Sequence, residues 1–325
     1  MTLTRTTHTY SPEHPDLLMD VVVPGVNGGR TPGGVDAQGV PDQRRPDHRP
    51  PAVLWLHGGS WRAGDRTACP DLDRHFAAEG LAMASIDYRL ADAHPYPAAV
   101  DDVCAAISYL RSHAAQLGID PGPVALWGSS AGAHLALLAA TRMPNDIACI
   151  VAGYGPMDLR EGLPDSPDPD RNPTDIEVFL GGPAETQPEL DRQRELAAQA
   201  SPLCHSAAQI PPTLILHGTA DTMVTPRASK TLHQHLADAG RESTLILIDD
   251  FGHNFFAQGP TQELPGGLML DNGHLEAAGD GTAVSTHVEQ SRAARFTPGE
   301  HPASFDTVAA FFHHHLPAST GEPGN

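Results

Sequence analysis

The chain has 325 residues, with 40 Asp and Glu against 20 Lys and Arg, a formal net charge of −20. That length holds one large α/β domain or two small ones, and 40% apolar residues together with 31 glycines is an ordinary globular composition. So acidic a balance argues against nucleic acid and anionic membranes as partners, and the four cysteines (Cys69, Cys104, Cys149, Cys204) form no C-x-x-C pair, so neither a zinc site nor a disulfide framework is indicated.

Met1 to Tyr10 is polar and carries no apolar core, so it does not read as a secretory signal. No apolar run approaches the about 20 residues that span a bilayer. The expected location is the cytoplasm. Leu17 to Val23 predicts the first strand, ended by Pro24. Residues 25–51 are rich in Gly, Pro and Arg, lack periodicity, and read as a mobile insertion. Ala52 to Leu56 is a short apolar strand running into His57-Gly58-Gly59-Ser60-Trp61. Asp71 to Gly80 reads as a helix closed by glycine, and Leu81 to Asp87 as the next strand. From Ala98 to Leu117, Val103, Ala106, Ile107, Leu110, Ala114 and Leu117 recur at helical spacing, with Gly118 as the stop.

Val124 to Trp127 is a buried strand that leads into Gly128-Ser129-Ser130-Ala131-Gly132, and a helical pattern follows at once. Ile147 to Ala152 is another apolar strand. Residues 156–200 hold a Pro- and Asp-rich stretch and then helical pieces, the size of a small cap. Thr213 to Leu216 is a strand ending at His217-Gly218-Thr219-Ala220-Asp221. Arg227 to Ala239 is a helix, Thr244 to Ile248 a strand ending near Asp249-Asp250-Phe251-Gly252-His253, and Phe305 to Leu316 a last helix. Residues 259–302 are poorly periodic and read as either a disordered insertion or a flap beside His253, an unusual length for a structureless loop. Strands that are apolar throughout and alternate with helices mean a mostly parallel central sheet covered by helices on both faces. Functional groups then belong at the C-terminal ends of the strands.

The chemistry is concentrated there. Strand, G-x-S-x-G turn and helix together make a nucleophile elbow, in which a tight turn exposes the Ser130 hydroxyl above the sheet. A serine hydroxyl needs a base to take its proton, and the base needs a carboxylate to fix its tautomer. In chain order Ser130, Asp221 and His253 supply all three, each just past a strand. Asp249 and Asp250 are competing acids, too close in sequence to His253 for easy geometry. A tetrahedral intermediate also needs amide donors for its oxyanion. Ala131 beside the nucleophile is one, and Gly58, Gly59 and Ser60 are the others. Trp61, Tyr88, Tyr154 and Phe255 are candidates to line the substrate site, although each could equally be core.

These motifs resemble the α/β-hydrolase superfamily, in the hormone-sensitive-lipase-like and feruloyl-esterase-like carboxylesterase branch. The resemblance rests on His57-Gly58-Gly59-Ser60-Trp61 with Gly64-Asp65, on Asp87-Tyr88-Arg89-Leu90, Tyr96-Pro97-Ala98-Ala99-Val100-Asp101-Asp102 and the elbow. It continues through Phe179-Leu180-Gly181-Gly182, Ser201-Pro202, Leu216 to Asp221 and Gly252-His253, from about Val53 to Phe255. It implies a single α/β-hydrolase domain over 1–325, with insertions at 25–51 and 259–302 and a cap at about 156–200. It further implies a serine esterase that cleaves short-chain or aryl and alkyl carboxylic esters, with a small-molecule ester as partner and no metal or cofactor. Ser60 stands where the family often has a third glycine, and no large N-terminal helical cap is evident. Two other readings stay open: an arylformamidase resembling kynurenine formamidases, and a hydrolase fold used as a non-catalytic binding module. Oligomeric state is not fixed by the sequence, and a homodimer is compatible with it.

Overall fold

A computed structural model describes residues 2–25, 49–168, 170–264, 268–279 and 284–316. In chain order the strands are β1 (Leu3–Thr9), β2 (Leu18–Pro24), β3 (Ala52–Leu56), β4 (Ala82–Ile86), β5 (Val124–Ser129), β6 (Ile147–Gly153), β7 (Thr213–Gly218), β8 (Ser243–Ile248), β9 (Gln262–Leu264), β10 (Leu268–Leu270) and β11 (Thr286–Gln290). The α-helices are α1 (Ala98–Ser112), α2 (Ala114–Leu117), α3 (Ala131–Arg142), α4 (Asp175–Phe179), α5 (Gln187–Gln199), α6 (Arg227–Asp238), α7 (His274–Gly279) and α8 (Phe305–His315). The main sheet runs β1-β2-β4-β3-β5-β6-β7-β8-β11. Its centre, β4-β3-β5-β6-β7-β8, is parallel, and β1, β2 and β11 are antiparallel additions at the two edges.

The apolar runs explain the centre. Every residue of β3, β4, β5, β7 and β8 is buried, which requires cover on both faces. Alternate side chains serve opposite cores. Leu54, Leu56, Ala84, Ile86 and Leu126 pack on one side with Ile107 and Leu110 of α1, Leu135 of α3 and Leu232 of α6. Val53, Trp55, Met83, Ala125 and Trp127 pack on the other with Phe76, Phe305, Val308 and Phe312. Trp55 and Trp127 meet edge to face with ring centroids 4.7 Å apart, a geometry worth about 0.5–1.5 kcal/mol beyond the area it buries.

Both outer strands escape the sequence pattern. β1 reads LTRTTHT and β11 reads THVEQ, and both are mostly exposed. An edge strand is polar because apolar exposed edges invite pairing with other chains, so it carries no apolar signal. The predicted helix over 71–80 is reduced to a five-residue π-type turn, Asp73–Ala77, in which the Ala78 amide reaches Asp73 O. The predicted helix over 98–117 divides at His113 into α1 and α2. Just before the break, the Ser108 and Ser112 hydroxyls bond back to the carbonyls of Cys104 and Ser108, an interaction that bends helices.

Of the two expectations for 259–302, the disordered insertion needs correcting. Its described residues are not structureless: β9 and β10 pair with each other, α7 follows, and β11 zips onto β8 in register, with Val288 opposite Ile246. β11 is ordered by backbone pairing with a strand distant in sequence, which local periodicity cannot report. Of the insertion expected over 25–51, residues 26–48 lie outside the described residues. Among the described residues no helix is long and apolar enough to cross a membrane.

Candidate active site

The elbow forms because its glycines admit no side chain. A Cβ on Gly128 would lie 2.3 Å from Gly132 C, and one on Gly132 would lie 2.0 Å from Leu56 O. Between them Ser130 takes φ 50°, ψ −118°, a conformation that costs a non-glycine residue about 1–3 kcal/mol. Its amide is tied to Gly153 O on the neighbouring strand (2.8 Å), and its carbonyl accepts from His134 in the first turn of α3 (3.2 Å). The strain is held by the sheet on one side and the helix on the other.

Ser130, His253 and Asp221 converge at the C-terminal ends of β5, β8 and β7. Ser130 Oγ lies 3.0 Å from His253 Nε2, and His253 Nδ1 lies 2.6 Å from Asp221 Oδ2. Because the carboxylate accepts a hydrogen bond from Nδ1–H, the neutral ring keeps its proton there and offers its Nε2 lone pair to the serine hydroxyl. Asp221 and His253 are buried, and Ser130 stays partly open to solvent. Asp221 Oδ1 accepts from the Met223 and Val224 amides at 2.9 and 3.0 Å. Burial alone would raise this carboxyl, but hydrogen bonds from His217 and His253 outweigh it and hold the group well below the ordinary carboxylate range. Neither Asp249 nor Asp250 is the acid bonded to His253 Nδ1, which is Asp221. Asp249 accepts from Ser285 Oγ at 2.5 Å, and the Asp250 amide donates to Thr219 Oγ1 at 3.1 Å.

The loop after β3 lies against the nucleophile. A Cβ on Gly58 would sit 3.3 Å from Ser130 Cβ. Gly59, Ser60 and Trp61 follow with φ of 108°, 53° and 61°. Ser60 therefore occupies a backbone conformation that favours glycine. Consecutive amides in such a turn face a common concavity and form an anion nest. The turn's own bonds run from the Arg62 and Ala63 amides to Gly59 O, which leaves the Gly59 and Ser60 amides out of it. Ala131, first residue of α3, likewise has no intrahelical acceptor.

Trp61, Tyr88, Tyr154 and Phe255 are not open site walls but buried supports, each at most 3% exposed. Trp61 stacks on Phe179 with centroids 4.5 Å apart and donates its indole N–H to His134 Nδ1 at 3.2 Å, anchoring the strained turn. Tyr88 stacks on His57 at 4.1 Å and donates to His57 O at 2.9 Å. The His57 Nδ1–H in turn donates to Gly58 O at 2.7 Å, and burial pushes this ring's pKa down. Tyr154 lies edge-on to the His253 ring at 4.8 Å, and its hydroxyl accepts from the Phe256 amide at 3.3 Å. Phe255 packs against Tyr154. An aromatic beside a motif looks the same in sequence whether it touches ligand or fixes the loop.

His134 has a consequence for stability. Burial drives it down to about 4. Its Nε2–H donates to Ala200 O at 2.7 Å, and its Nδ1 is already the acceptor for Trp61, so a second ring proton would face a donor. The stabilisation is complete above the unfolded value of about 6.5, declines as pH falls through it and is gone near the folded value, a swing of about 3 kcal/mol. Denaturant titrations at pH 7 and 4 are expected to show wild type losing that much more than His134→Gln; parallel losses would refute it.

Sequence reasoning missed a role for His217. Its Nε2 faces both Val224 O (2.8 Å) and Asp221 Oδ2 (3.3 Å), and its Nδ1 meets Ser229 Oγ at 2.7 Å. The carboxylate of Asp221 is thus flanked by two histidines, a pairing legible only in the i, i+4 spacing of His217 and Asp221. Two other features stand apart from the triad. A hollow of about 280 Å³ is bounded by Arg5, Arg66, Thr67, Asp71, Ser85 and Gln258, with Arg5 paired to Asp73 and Arg66 to Asp20 and Asp87. Glu242, His314 and His315 bring ligand atoms within 4.8 Å of one another. They lie at the start of β8, the opposite end from His253, and Glu242 Oε1 is taken by the Arg295 and Phe296 amides at 2.6 and 3.0 Å.

Comparison with known proteins gives the family and the fold. A family model described as BD-FAE matches residues 40–236, more than half of the chain. The esterase LipC of Mycobacterium tuberculosis is 28% identical over 221 residues, 63% of this chain and 53% of its own. The chain spans about half the length of the curated relatives it matches. Among solved structures, a truncated carbohydrate esterase from gut microbiota superposes with a TM-score of 0.60 at 22% identity, covering 78% of this chain and 89% of that one. An esterase of Thermogutta terrifontis gives 0.57 at 25% identity, covering 78% and 85%. The fold is therefore the α/β-hydrolase fold.

Proposed function

The chain belongs to the BD-FAE family, and from that premise we propose that it is a serine hydrolase of carboxylic esters. The observation that carries this reading is the unbroken hydrogen-bond chain from Ser130 Oγ through His253 to Asp221. Ser130 Oγ attacks the ester carbonyl carbon while its proton passes to His253 Nε2. The oxygen that becomes negative is held by the amides of Gly59, Ser60 and Ala131, with Gly58 giving the loop its close approach. Each such donor is worth about 10²- to 10³-fold in rate, and the positive end of α3 adds to the field. Asp221, kept ionised, stabilises the imidazolium. His253 then gives its proton to the departing alkoxide, which leaves an acyl group on Ser130. A water that loses its proton to His253 Nε2 cleaves that ester and restores the serine. Side chains, backbone amides and the hydrolytic water supply every proton and charge in this cycle, which calls on no metal or cofactor.

The partner is a small ester molecule. Ser60 adds a hydroxymethyl group beside the oxyanion site where glycine would add none, which favours a short acyl chain. The chain is read as one domain in a cytoplasmic setting, with residues 156–200 as its cap. Hydrolysis of p-nitrophenyl esters from acetate to decanoate tests the reading. Rates are expected to peak at the short acyl chains. A probe-reactive protein inert on every ester but active on N-formylkynurenine would replace the esterase with a formamidase. A protein inert on both and unlabelled by a fluorophosphonate would make it a binding module.

A further inference from the structure

The loop that carries His253 is gripped by the segment after it. Leu270, the last residue of β10, forms a parallel bridge with His253. The Asp271 amide donates to His253 O at 2.7 Å, while the Asp271 carboxylate accepts from the Gly252 amide. One residue thus spans the 252–253 peptide from both ends, its main chain on one residue and its side chain on the other. Asn254 Nδ2 donates to Asn272 Oδ1 at 2.9 Å, Gly273 N to Ala257 O at 2.7 Å, and Leu275 N to Phe255 O at 3.4 Å. The fit leaves no slack, since a Cβ on Gly252 would lie 3.0 Å from Asp271 Oδ2. The Asp271 side chain is 13% exposed, so the charge-assisted bond it makes is sheltered from water.

On the other side the same loop is held at Phe251 O, which accepts from the Ala220 amide at 2.8 Å, next to Asp221. The ring of His253 therefore sits between two anchors. One comes from the acid's own turn and the other from residues 268–275, beyond the stretch matched by the family. Catalytic efficiency depends on such placement, and a displacement of about 1 Å can cost about 10²-fold.

We propose that Asp271 is a positioning residue for the His253 imidazole, and that residues 268–275 act as a clamp on the loop of the general base. The inference rests on the esterase reading of Ser130 and His253. It assigns the insertion a part in orienting the base.

The test compares wild type, Asp271→Ala and Asp271→Asn on a short p-nitrophenyl ester, with active sites counted by fluorophosphonate titration. Asp271→Ala is expected to lower kcat per titrated site by about 10- to 100-fold with KM within about twofold. The probe should label it more slowly by a similar factor. Asp271→Asn keeps an oxygen for the Gly252 amide and should recover kcat to within about threefold of wild type. Should Asp271→Ala not fold, Asp271→Leu keeps the volume without the acceptor and carries the same expectation. Wild-type kcat per site in the Ala or Leu variant, with only a lower Tm, would overturn the clamp and leave the esterase intact. A wild-type protein inert on esters and unlabelled by the probe would overturn both.

Discussion

Replacing Ser130 with alanine is expected to lower kcat on esters by about 10⁶-fold, the scale seen when a nucleophile is removed from a triad that works as a unit. The fold should survive, because alanine keeps the Cβ and removes only the hydroxyl that faces His253. Glycine at the same position distinguishes the catalytic loss from the structural one. Ser130 holds φ 50°, which glycine adopts without a steric penalty. Ser130→Gly should therefore be as inactive as the alanine variant yet unfold at higher denaturant, by about 1 kcal/mol or more. Assays with active-site titration, paired with equilibrium unfolding, check both. Persistence of most activity in either variant would remove Ser130 from the mechanism.

Asp221→Asn is expected to cost about 10⁴-fold in kcat, through the tautomer of His253 rather than its position. The amide oxygen of the new side chain would stay with the Met223 and Val224 amides that now bond Oδ1. Its NH₂ group would then face His253 Nδ1. That nitrogen must become the acceptor, which moves the ring proton to Nε2, where it can no longer take one from Ser130. The same NH₂ would face His217 Nε2, which donates to Asp221 in the wild type, so a stability loss of about 1–3 kcal/mol should accompany it. Retention of more than a tenth of the wild-type kcat would point to a different acid, with Asp249 and Asp250 first in line.

The central strands, and the three residues proposed as the triad, each have a local signature in the sequence. Ala52–Leu56 and Val124–Trp127 are apolar without interruption, and only a doubly covered strand needs that. Ser130 sits between glycines that the packing demands. Asp221 and His253 follow strands in the order the elbow implies. The outer strands β1 and β11 carry no apolar signal because a polar edge guards against pairing with other chains. For Trp61 and Tyr154 the sequence leaves two duties open, lining the site or packing in the core, and the structure shows burial. Both are buried aromatics whose polar atoms bond to protein groups, and composition near a motif does not distinguish support from contact. Asp271 had no local signal at all. It acts on Gly252 and His253, 19 and 18 residues upstream, through a turn whose register is set by β10.

The measurement that tests the central claim most directly is the mass of the intact protein after reaction with a fluorophosphonate, followed by peptide mapping. A serine activated by His253 and Asp221 should take up one adduct per chain, on Ser130, and Ser130→Ala should take up none. An unmodified protein, or an adduct on another residue such as Ser129, would contradict the assignment of Ser130 as the nucleophile.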